Sequence, residues 1–285
     1  MTLHHNLRIL IVGLGLIGGS YAKALTKKGY CVTAITKDRA SVDYSLENGR
    51  ITNGADFVDE QLGKEADLVI LALYPHILLS WLRNNQHLLK PGAVITDVTG
   101  VKCSIVYEVQ DFLRKDVEFI AAHPMAGREV YGVQNSDDSI FQKANYIVTP
   151  TAQNTAQAIQ LCEQLGVELG FAHISRLSPE QHDDMIGFLS QLTHCIAISL
   201  MNCNDTPGME AYTGDSFRDL TRIARINDCM WSELFMCNRE ILLKHMDAFS
   251  ETFDQFRNML KENDIDGMRR AMRHSTMRRA LFDKK

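Results

Sequence analysis

The chain has 285 residues, of which 45% are hydrophobic and 23% charged, so it is long enough for two domains and too apolar to be disordered. Its net charge of −5 provides no electrostatic attraction to nucleic acid or to an anionic membrane, and we predict neither as a partner. We find no apolar run of bilayer length, and the seven cysteines include no Cys-x-x-Cys pair. These features predict a cytoplasmic protein with reduced thiols.

A glycine-rich turn follows the first apolar segment and leads directly into a helical pattern. Gly13 permits a tight turn, Gly15 lets the backbone approach a pyrophosphate, and Gly18 lets the helix pack closely on the strand. A helical pattern follows over 21–28, and the free N–H groups and positive dipole end of this helix face the phosphates. Leu16 and Ile17 are predicted to contact the cofactor there. The motif predicts a nicotinamide or flavin dinucleotide. The alternative is a turn that only packs a helix on a sheet.

Strand-like and helix-like segments alternate through the first part of the chain. Strands are predicted at 31–35, 68–73, 93–97, 118–122, 146–149 and 168–173, and helices at 40–48, 77–89, 103–113 and 155–165. This alternation is typical of a doubly wound, mostly parallel Rossmann-type sheet in an α/β protein. Leu73 ends one of the predicted strands and Thr99 follows another, and we predict that both contact the cofactor.

The pattern becomes entirely helical after residue 177. Ser178 is predicted to be an N-cap and is followed by Pro179, and helices are predicted at 180–201, 217–226 and 231–251. We therefore predict a dinucleotide-binding domain at 1–176 and an all-α substrate and dimerisation domain at 177–285. The helix at 180–201 is apolar over a broad face, which favours a homodimer formed through the helical domain.

The end of the second strand bears on the choice of nicotinamide cofactor. Thr36 occupies the position where an acidic residue would contact the ribose of NAD. Lys37 and Arg39 are close enough to offer positive charge to a 2′-phosphate, so we favour NADP over NAD. A small shift of the strand end would make Asp38 an NAD-type acid, and the two cations would then be ordinary loop charges.

Two further clusters carry residues suited to chemistry. His123 follows a predicted strand at the edge of the sheet where ligands bind, and a histidine there is suited to accept a hydroxyl proton near neutral pH. Arg218 and Arg222 are four residues apart, as in an anion clamp or in a surface stripe paired with Asp215 and Asp219.

The long apolar helix contains three polar residues of interest. Gln191 and His194 share a face and are predicted to line a pocket. His182 and His194 do not share a helix face, so we predict no metal site.

Taken in order, these motifs resemble those of the prephenate/arogenate dehydrogenase family of tyrosine biosynthesis, over nearly the whole chain. The resemblance depends on the glycine turn, on 96–102 (TDVTGVK), 123–129 (HPMAGRE), 182–183 (HD), 190–194 (SQLTH), 217–224 (FRDLTRIA), and on Trp231.

The resemblance implies oxidative decarboxylation of prephenate to 4-hydroxyphenylpyruvate, with hydride transfer to NAD or NADP. His123 matches the catalytic histidine that takes the hydroxyl proton. Arg222 matches the arginine that holds a substrate carboxylate, with His194 orienting the side chain. Glu129 matches an acid that lines the pocket, and Arg128 replaces a pocket threonine.

The chain departs from the family pattern at three positions. Gly100 replaces a serine whose hydroxyl assists the histidine, and the neighbouring Thr99 is a candidate substitute. Gln191 replaces a histidine, and the extra cation of Arg128 favours prephenate over arogenate.

Two alternatives have different chemistry. A β-hydroxyacid dehydrogenase would use a lysine of the helical domain, and no lysine occurs between Glu180 and Glu240. A nucleotide sensor without catalysis would explain Gly100, and only an enzyme would lose turnover on replacement of His123.

Overall fold

The computed structural model describes residues 3–128 and 130–283. Its largest sheet has six parallel strands in the order β3-β2-β1-β4-β5-β6. The strands are β1 Arg8–Val12, β2 Cys31–Ile35, β3 Asn53–Ala55, β4 Leu68–Leu71, β5 Val94–Asp97 and β6 Glu118–Phe119. The order reverses between β1 and β4, which is where dinucleotides bind in this fold. The predicted Rossmann-type sheet is confirmed.

Helices cover both faces of this sheet. They are α1 Leu16–Lys27, α2 Arg39–Glu47, α3 Glu60–Glu65, α4 Pro75–Asn85, the 3₁₀ turn Gln86–Leu88, and α5 Cys103–Phe112. Along β1, Ile9 and Ile11 belong to one hydrophobic cluster, whereas Leu10 and Val12 belong to another. Successive side chains of a strand point to opposite faces, so β1 is buried on both sides, which explains its uninterrupted apolar sequence. Each such side chain stabilises the fold by about 1.5–3 kcal/mol.

A second, smaller sheet follows the first. It contains β7 Ala121–Pro124, β8 Asn145–Thr149 and β9 His173–Arg176, with β7 antiparallel and β9 parallel to β8. The helix α6 Ala156–Leu169 and two 3₁₀ turns, Val133–Asn135 and Asp138–Phe141, lie in the connections.

Two strand predictions in this region need correction. The predicted strand 118–122 is divided between β6 and β7, which belong to different sheets. The strand predicted at 168–173 is wrong, because α6 continues to Leu169 and ends at Gly170, whose φ of 87° is a left-handed C-cap. The strand begins only at His173.

Helices dominate after residue 177. They are α7 Pro179–Ile186, the π-helix Gly187–Leu192, α8 Thr193–Asn202, the 3₁₀ turn Met209–Tyr212, α9 Asp215–Thr221, the 3₁₀ turn Arg222–Ala224, and α10 Asp228–Cys237. Ser178 caps α7 as predicted, and Gln181 completes a capping box.

The chain divides into two compact units, Met1–Asn238 and Arg239–Lys285. The second contains α11 Arg239–Lys261, α12 Ile265–Arg279 and the 3₁₀ turn Ala280–Phe282. The helix predicted at 231–251 is interrupted at Asn238, where the two units meet in sequence. The predicted domain boundary between residues 176 and 177 stays a prediction. It marks the end of the last strand, β9, and not the boundary between the two compact units.

One helical stretch, Pro179–Asn202, is long and apolar enough to cross a membrane, with a mean hydropathy of 1.3 in its most apolar window. The expectation that no segment has this character is wrong by that measure, because it considered only uninterrupted apolar runs. A core helix of a soluble protein passes the same test. This stretch carries His182 and Asp183, both buried and bonded to residues next to the large sheet.

Candidate active site

The glycine turn has the geometry that a dinucleotide requires. Gly13 has φ 100°, and a Cβ on it would lie 2.4 Å from the carbonyl oxygen of Ala72. A Cβ on Gly18 would lie 1.9 Å from the carbonyl oxygen of Gly13, so Gly18 serves the packing of α1 on the turn. A Cβ on Gly15, in contrast, would have no heavy atom of the described residues within 4 Å. The absent side chain of Gly15 therefore leaves space for a ligand at the start of α1.

Alanine at Gly18 and at Gly15 should have opposite effects. We expect Gly18→Ala to lower the free energy of unfolding by about 1–3 kcal/mol, because its Cβ overlaps backbone. Gly15→Ala should leave the thermal midpoint of the cofactor-free protein unchanged and weaken dinucleotide binding at least about tenfold. Calorimetry and a fluorescence titration with NADPH measure the two effects. Equal loss of stability in both variants would contradict this division of roles.

Thr36 directly follows β2, as predicted, and its N–H donates to the carbonyl oxygen of Ala55. Asp38 is the N-cap of α2, and its carboxylate accepts hydrogen bonds from the N–H groups of Ala40 and Ser41 and from the Ser41 hydroxyl. Lys37 is exposed. The Asp38 carboxylate is thus occupied in starting a helix.

Arg39 begins α2 on the exposed surface. Its guanidinium pairs with Asp43 at 2.8 Å and lies 4.0 Å from Asp56. Both ion pairs are exposed, with Arg39 itself 59% accessible, and such pairs are readily exchanged for another anion.

Leu73 is half-buried just after β4, and its Cδ2 atom would lie 3.1 Å from a Cβ on Gly13. It therefore lies beside the glycine turn, where it was predicted to contact the cofactor.

A buried ion pair lies at the carboxyl end of β5. Lys102 Nζ donates to Asp97 Oδ2 at 2.7 Å and to the carbonyl oxygen of Ala122 at 2.6 Å, and neither charged side chain is exposed. Asp97 also accepts from the N–H groups of Thr99 and Ala122, at 3.0 and 3.1 Å. Burial lowers the pKa of Lys102, and the charge of Asp97 opposes that shift. These bonds fix the start of α5 against β7 immediately before His123.

Thr99 belongs to this cluster. Its hydroxyl bonds to Asp97 Oδ2 and to the carbonyl oxygen of Val101, and Lys102 Nζ lies 3.2 Å away. The suggestion that Thr99 supplies a hydroxyl to His123 is therefore wrong, because that hydroxyl is buried among other partners. Contact between Thr99 and a cofactor stays a prediction.

His123 lies in β7, just beyond the carboxyl end of β5. Its Nδ1 is 2.8 Å from Nε2 of His182, and Nδ1 of His182 is 2.7 Å from Oδ1 of Asp183. Burial lowers the pKa of His123 well below its ordinary value of 6.5, with smaller contributions from His182 and Lys102. The imidazole is therefore neutral at physiological pH and able to accept a proton.

Gly100 lies on the other side of this imidazole. A Cβ on Gly100 would be 3.8 Å from Cε1 and Nε2 of His123 and 3.7 Å from Cδ1 of Leu234. Thus Nε2 of His123 is on the side of Gly100. The side chain of Leu234, from helix α10, also lies next to Gly100.

Gln191 and His194 lie in the helical part but differ in their surroundings. Gln191 is buried, donating to the carbonyl oxygen of Leu234 and accepting from Asn238. His194 is half-buried, donates to the carbonyl oxygen of Ser190, and stacks on Trp231 with ring centroids 3.7 Å apart. The structure thus places Gln191 in the packing beneath α10 instead of facing a ligand, which corrects its predicted role, and it keeps His194 as a candidate.

The predicted arginines are exposed. Arg222 starts the 3₁₀ turn that contacts α8, the helix of His194. Arg218 pairs with Asp215, as in the predicted surface stripe, and α9 ends one residue before Arg222. Arg128 lies 3.5 Å from the hydroxyl of Ser139. Glu129, predicted to line the pocket, is outside the described residues.

Comparison with known proteins identifies the family. The family model described as prephenate dehydrogenase, nucleotide-binding domain, matches residues 21–174, and the one described as prephenate dehydrogenase, dimerization domain, matches residues 178–274. The chain belongs to the prephenate dehydrogenase family. It is therefore a nicotinamide-dependent oxidoreductase, as its sequence predicted.

Individual relatives agree with this family. The chain is 31% identical to the prephenate dehydrogenase of Bacillus subtilis over 268 residues, covering 91% of this chain and 72% of the relative. It is 32% identical to the cyclohexadienyl dehydrogenase of Zymomonas mobilis over 270 residues, 90% of each. The structure of prephenate dehydrogenase from A. aeolicus with hydroxyphenyl propionate and NAD+ superposes with a TM-score of 0.90, at 26% identity, covering 99% of this chain and 100% of that one.

Four polar residues around His123 were not assigned a role from the sequence. They are Asp97, Lys102, His182 and Asp183. The sequence offered one signal: Asp97 and Lys102 lie in an otherwise uncharged strand-to-helix segment. Such charges are rarely buried without a partner, so an ion pair between them could have been predicted.

Proposed function

We propose that the protein is a prephenate dehydrogenase in which His123 accepts the proton of the substrate's ring hydroxyl. The observation that supports this most strongly is the position of His123, which lies just beyond the carboxyl end of β5 with its Nδ1 bonded to His182, while burial lowers its pKa. A base at that position meets the requirement of alcohol oxidation. A bound nicotinamide nucleotide supplies the acceptor for the hydride that leaves the hydroxyl-bearing carbon.

The reaction balances with one protein base. His123 takes the hydroxyl proton as the carbon is oxidised. The ring carboxylate then leaves as CO2, and its bonding electrons complete the aromatic ring as a phenolate. The proton held on His123 returns to that oxygen, which gives 4-hydroxyphenylpyruvate. Because aromatisation drives the step, the protein must mainly orient the substrate and provide this base.

The two carboxylates of prephenate need cationic partners. We assign one to Arg222, with His194 orienting the side chain, since the turn of Arg222 contacts the helix of His194. Arg128 would meet the second carboxylate, which favours prephenate over arogenate, because arogenate carries an ammonium group near that end.

We further propose NADP as the preferred cofactor. The position after β2 is Thr36. The nearest acid, Asp38, is the N-cap of α2, and its carboxylate accepts hydrogen bonds from that helix. Lys37 and Arg39 are exposed beside it and would attract a 2′-phosphate.

A spectrophotometric assay tests both proposals. Prephenate with NADP should give rapid formation of reduced nicotinamide, and with NAD a lower kcat/KM. Replacing Lys37 and Arg39 by alanine should remove the preference for NADP and leave the rate with NAD unchanged. Faster oxidation of arogenate would overturn the substrate assignment. Absence of reduction with either substrate would favour a nucleotide sensor without catalysis.

We also propose a cytoplasmic homodimer. The seven cysteines are all unpaired. Apolar side chains of the helical part are exposed, among them Met185, Phe188 and Leu189 at about half of their full area, and burial against a second copy would remove them from water. Sedimentation at micromolar concentration should give twice the mass of 32.2 kDa. A single species of monomer mass would contradict the dimer.

A further inference from the structure

We propose that His182 and Asp183 are positioning residues that fix the tautomer of His123, so that Nε2 of His123 is the basic atom. This deepens the function proposed above and rests on it for the role of His123. Three side chains form a chain of contacts: His123 of β7 lies 2.8 Å from His182 of α7, and His182 lies 2.7 Å from Asp183.

The line is anchored at Asp183. Its Oδ1 accepts the N–H of Lys102 at 2.8 Å, and its Oδ2 accepts the N–H of Cys103 at 2.8 Å. Burial raises the pKa of Asp183, but the hydrogen bonds from His182 and from these N–H groups lower it below its ordinary value. Asp183 is therefore ionised, and an ionised carboxylate only accepts hydrogen bonds. Nδ1 of His182 must carry the proton that lies between them.

The tautomer of His182 decides that of His123. Burial lowers the pKa of His182 below 6.5 despite the bond to Asp183, so its ring is neutral near pH 7. A neutral imidazole with a proton on Nδ1 has a lone pair on Nε2. Nε2 of His182 therefore accepts the N–H of His123 Nδ1, and the lone pair of His123 is on its own Nε2.

The orientation places that lone pair on the side of the ring opposite His182. Nε2 of His123 lies on the side of Gly100, whose missing side chain leaves 3.8 Å between a Cβ position and Nε2. Lys102 and Asp97 are the other charged groups packed near the two rings, and they are bonded to each other. When His123 takes up a proton, the resulting imidazolium keeps its Nδ1 bond, and the carboxylate of Asp183 stabilises the charge through His182.

The tautomer is measurable without substrate. In protein labelled with ¹⁵N-histidine, two-bond nitrogen–proton couplings distinguish the two neutral forms, and the His123→Asn variant assigns the signals. We expect His123 of the wild-type protein to carry its proton on Nδ1. A proton on Nε2 would overturn the proposal.

Variants of His182 separate positioning from packing. His182→Phe keeps the bulk but removes the acceptor, and should shift His123 toward the Nε2–H form. In steady-state kinetics it should lower kcat at least about tenfold with KM for prephenate unchanged. His182→Gln retains an acceptor oxygen near the same position and should recover most of the rate. An unchanged tautomer and kcat in His182→Phe would overturn the proposal.

A control in the same helix measures the effect of damage to the fold. Ile186→Ala, one turn along α7 and equally buried, should lower the thermal midpoint without changing the tautomer of His123. Loss of the Nδ1–H form in this variant as well would assign the tautomer to packing and overturn the positioning role. A wild-type protein inactive on prephenate would overturn the proposed function, whereas the tautomer would still be read from the spectrum.

Discussion

Replacing His123 by asparagine is expected to lower kcat for prephenate oxidation by about 10²–10⁴-fold. Asparagine keeps a polar side chain of similar size but cannot hold the transferred proton. KM for the nicotinamide nucleotide should stay the same, because the glycine turn and α1 are untouched. Steady-state kinetics with each substrate varied in turn gives both constants.

The pKa of His123 adds a second expectation for the wild-type enzyme. Because burial depresses this pKa well below 6.5, the base stays unprotonated as the pH falls through 6.5. The pH profile of kcat/KM should therefore remain flat there and decline only at lower pH. The exposed His173 provides a matched control, and His173→Asn should leave kcat unchanged. Full activity of His123→Asn would refute the assignment of the base.

Replacing Lys102 by methionine is expected to reduce the free energy of unfolding by about 3–5 kcal/mol. The change leaves the carboxylate of Asp97 buried without its cation, and it also removes the donor to the carbonyl oxygen of Ala122. Denaturant unfolding, followed by circular dichroism, measures the loss.

Two further variants show whether the unpaired charge causes the loss. The double variant Asp97→Asn, Lys102→Met should recover part of the stability, because it removes both charges together. Lys23→Met breaks an ion pair with Asp137 that is partly open to water, and should cost only about 0–1 kcal/mol. Equal losses for Lys102→Met and Lys23→Met would show that burial of the first pair has no energetic consequence.

The central strands β1 and β4 of the large sheet were predictable because they are buried on both faces and are therefore uninterrupted apolar segments. The prediction of a strand at 168–173 was wrong because so short a segment does not distinguish a helix from a strand by its own sequence. The packing of Leu161, Leu165 and Leu169 at helical spacing decided in favour of a helix, and Gly170 was the available signal for its end. The short strand β3 and helix α3 were missed because segments of three and six residues carry too little periodicity.

The site was predictable where one residue acts through its own local motif, as with the glycine turn and His123. The residues that support His123 could not be found in this way. Asp183 bonds to Lys102 across 81 positions of sequence, and His123 bonds to His182 across 59. Only the folded chain brings these pairs together, and periodicity within one element contains no information about such contacts.

The π-helix Gly187–Leu192 changes which side chains of the long helical stretch share a face. In an unbroken α-helix, twelve residues separate two side chains by about 120° of rotation, and eleven residues by about 20°. An i→i+5 turn absorbs one extra residue without advancing the rotation. His182 and His194, twelve positions apart, are thereby turned toward nearly the same direction. One turn with a wider hydrogen-bond pattern thus aligns the histidine that supports the base with the histidine proposed to orient the substrate.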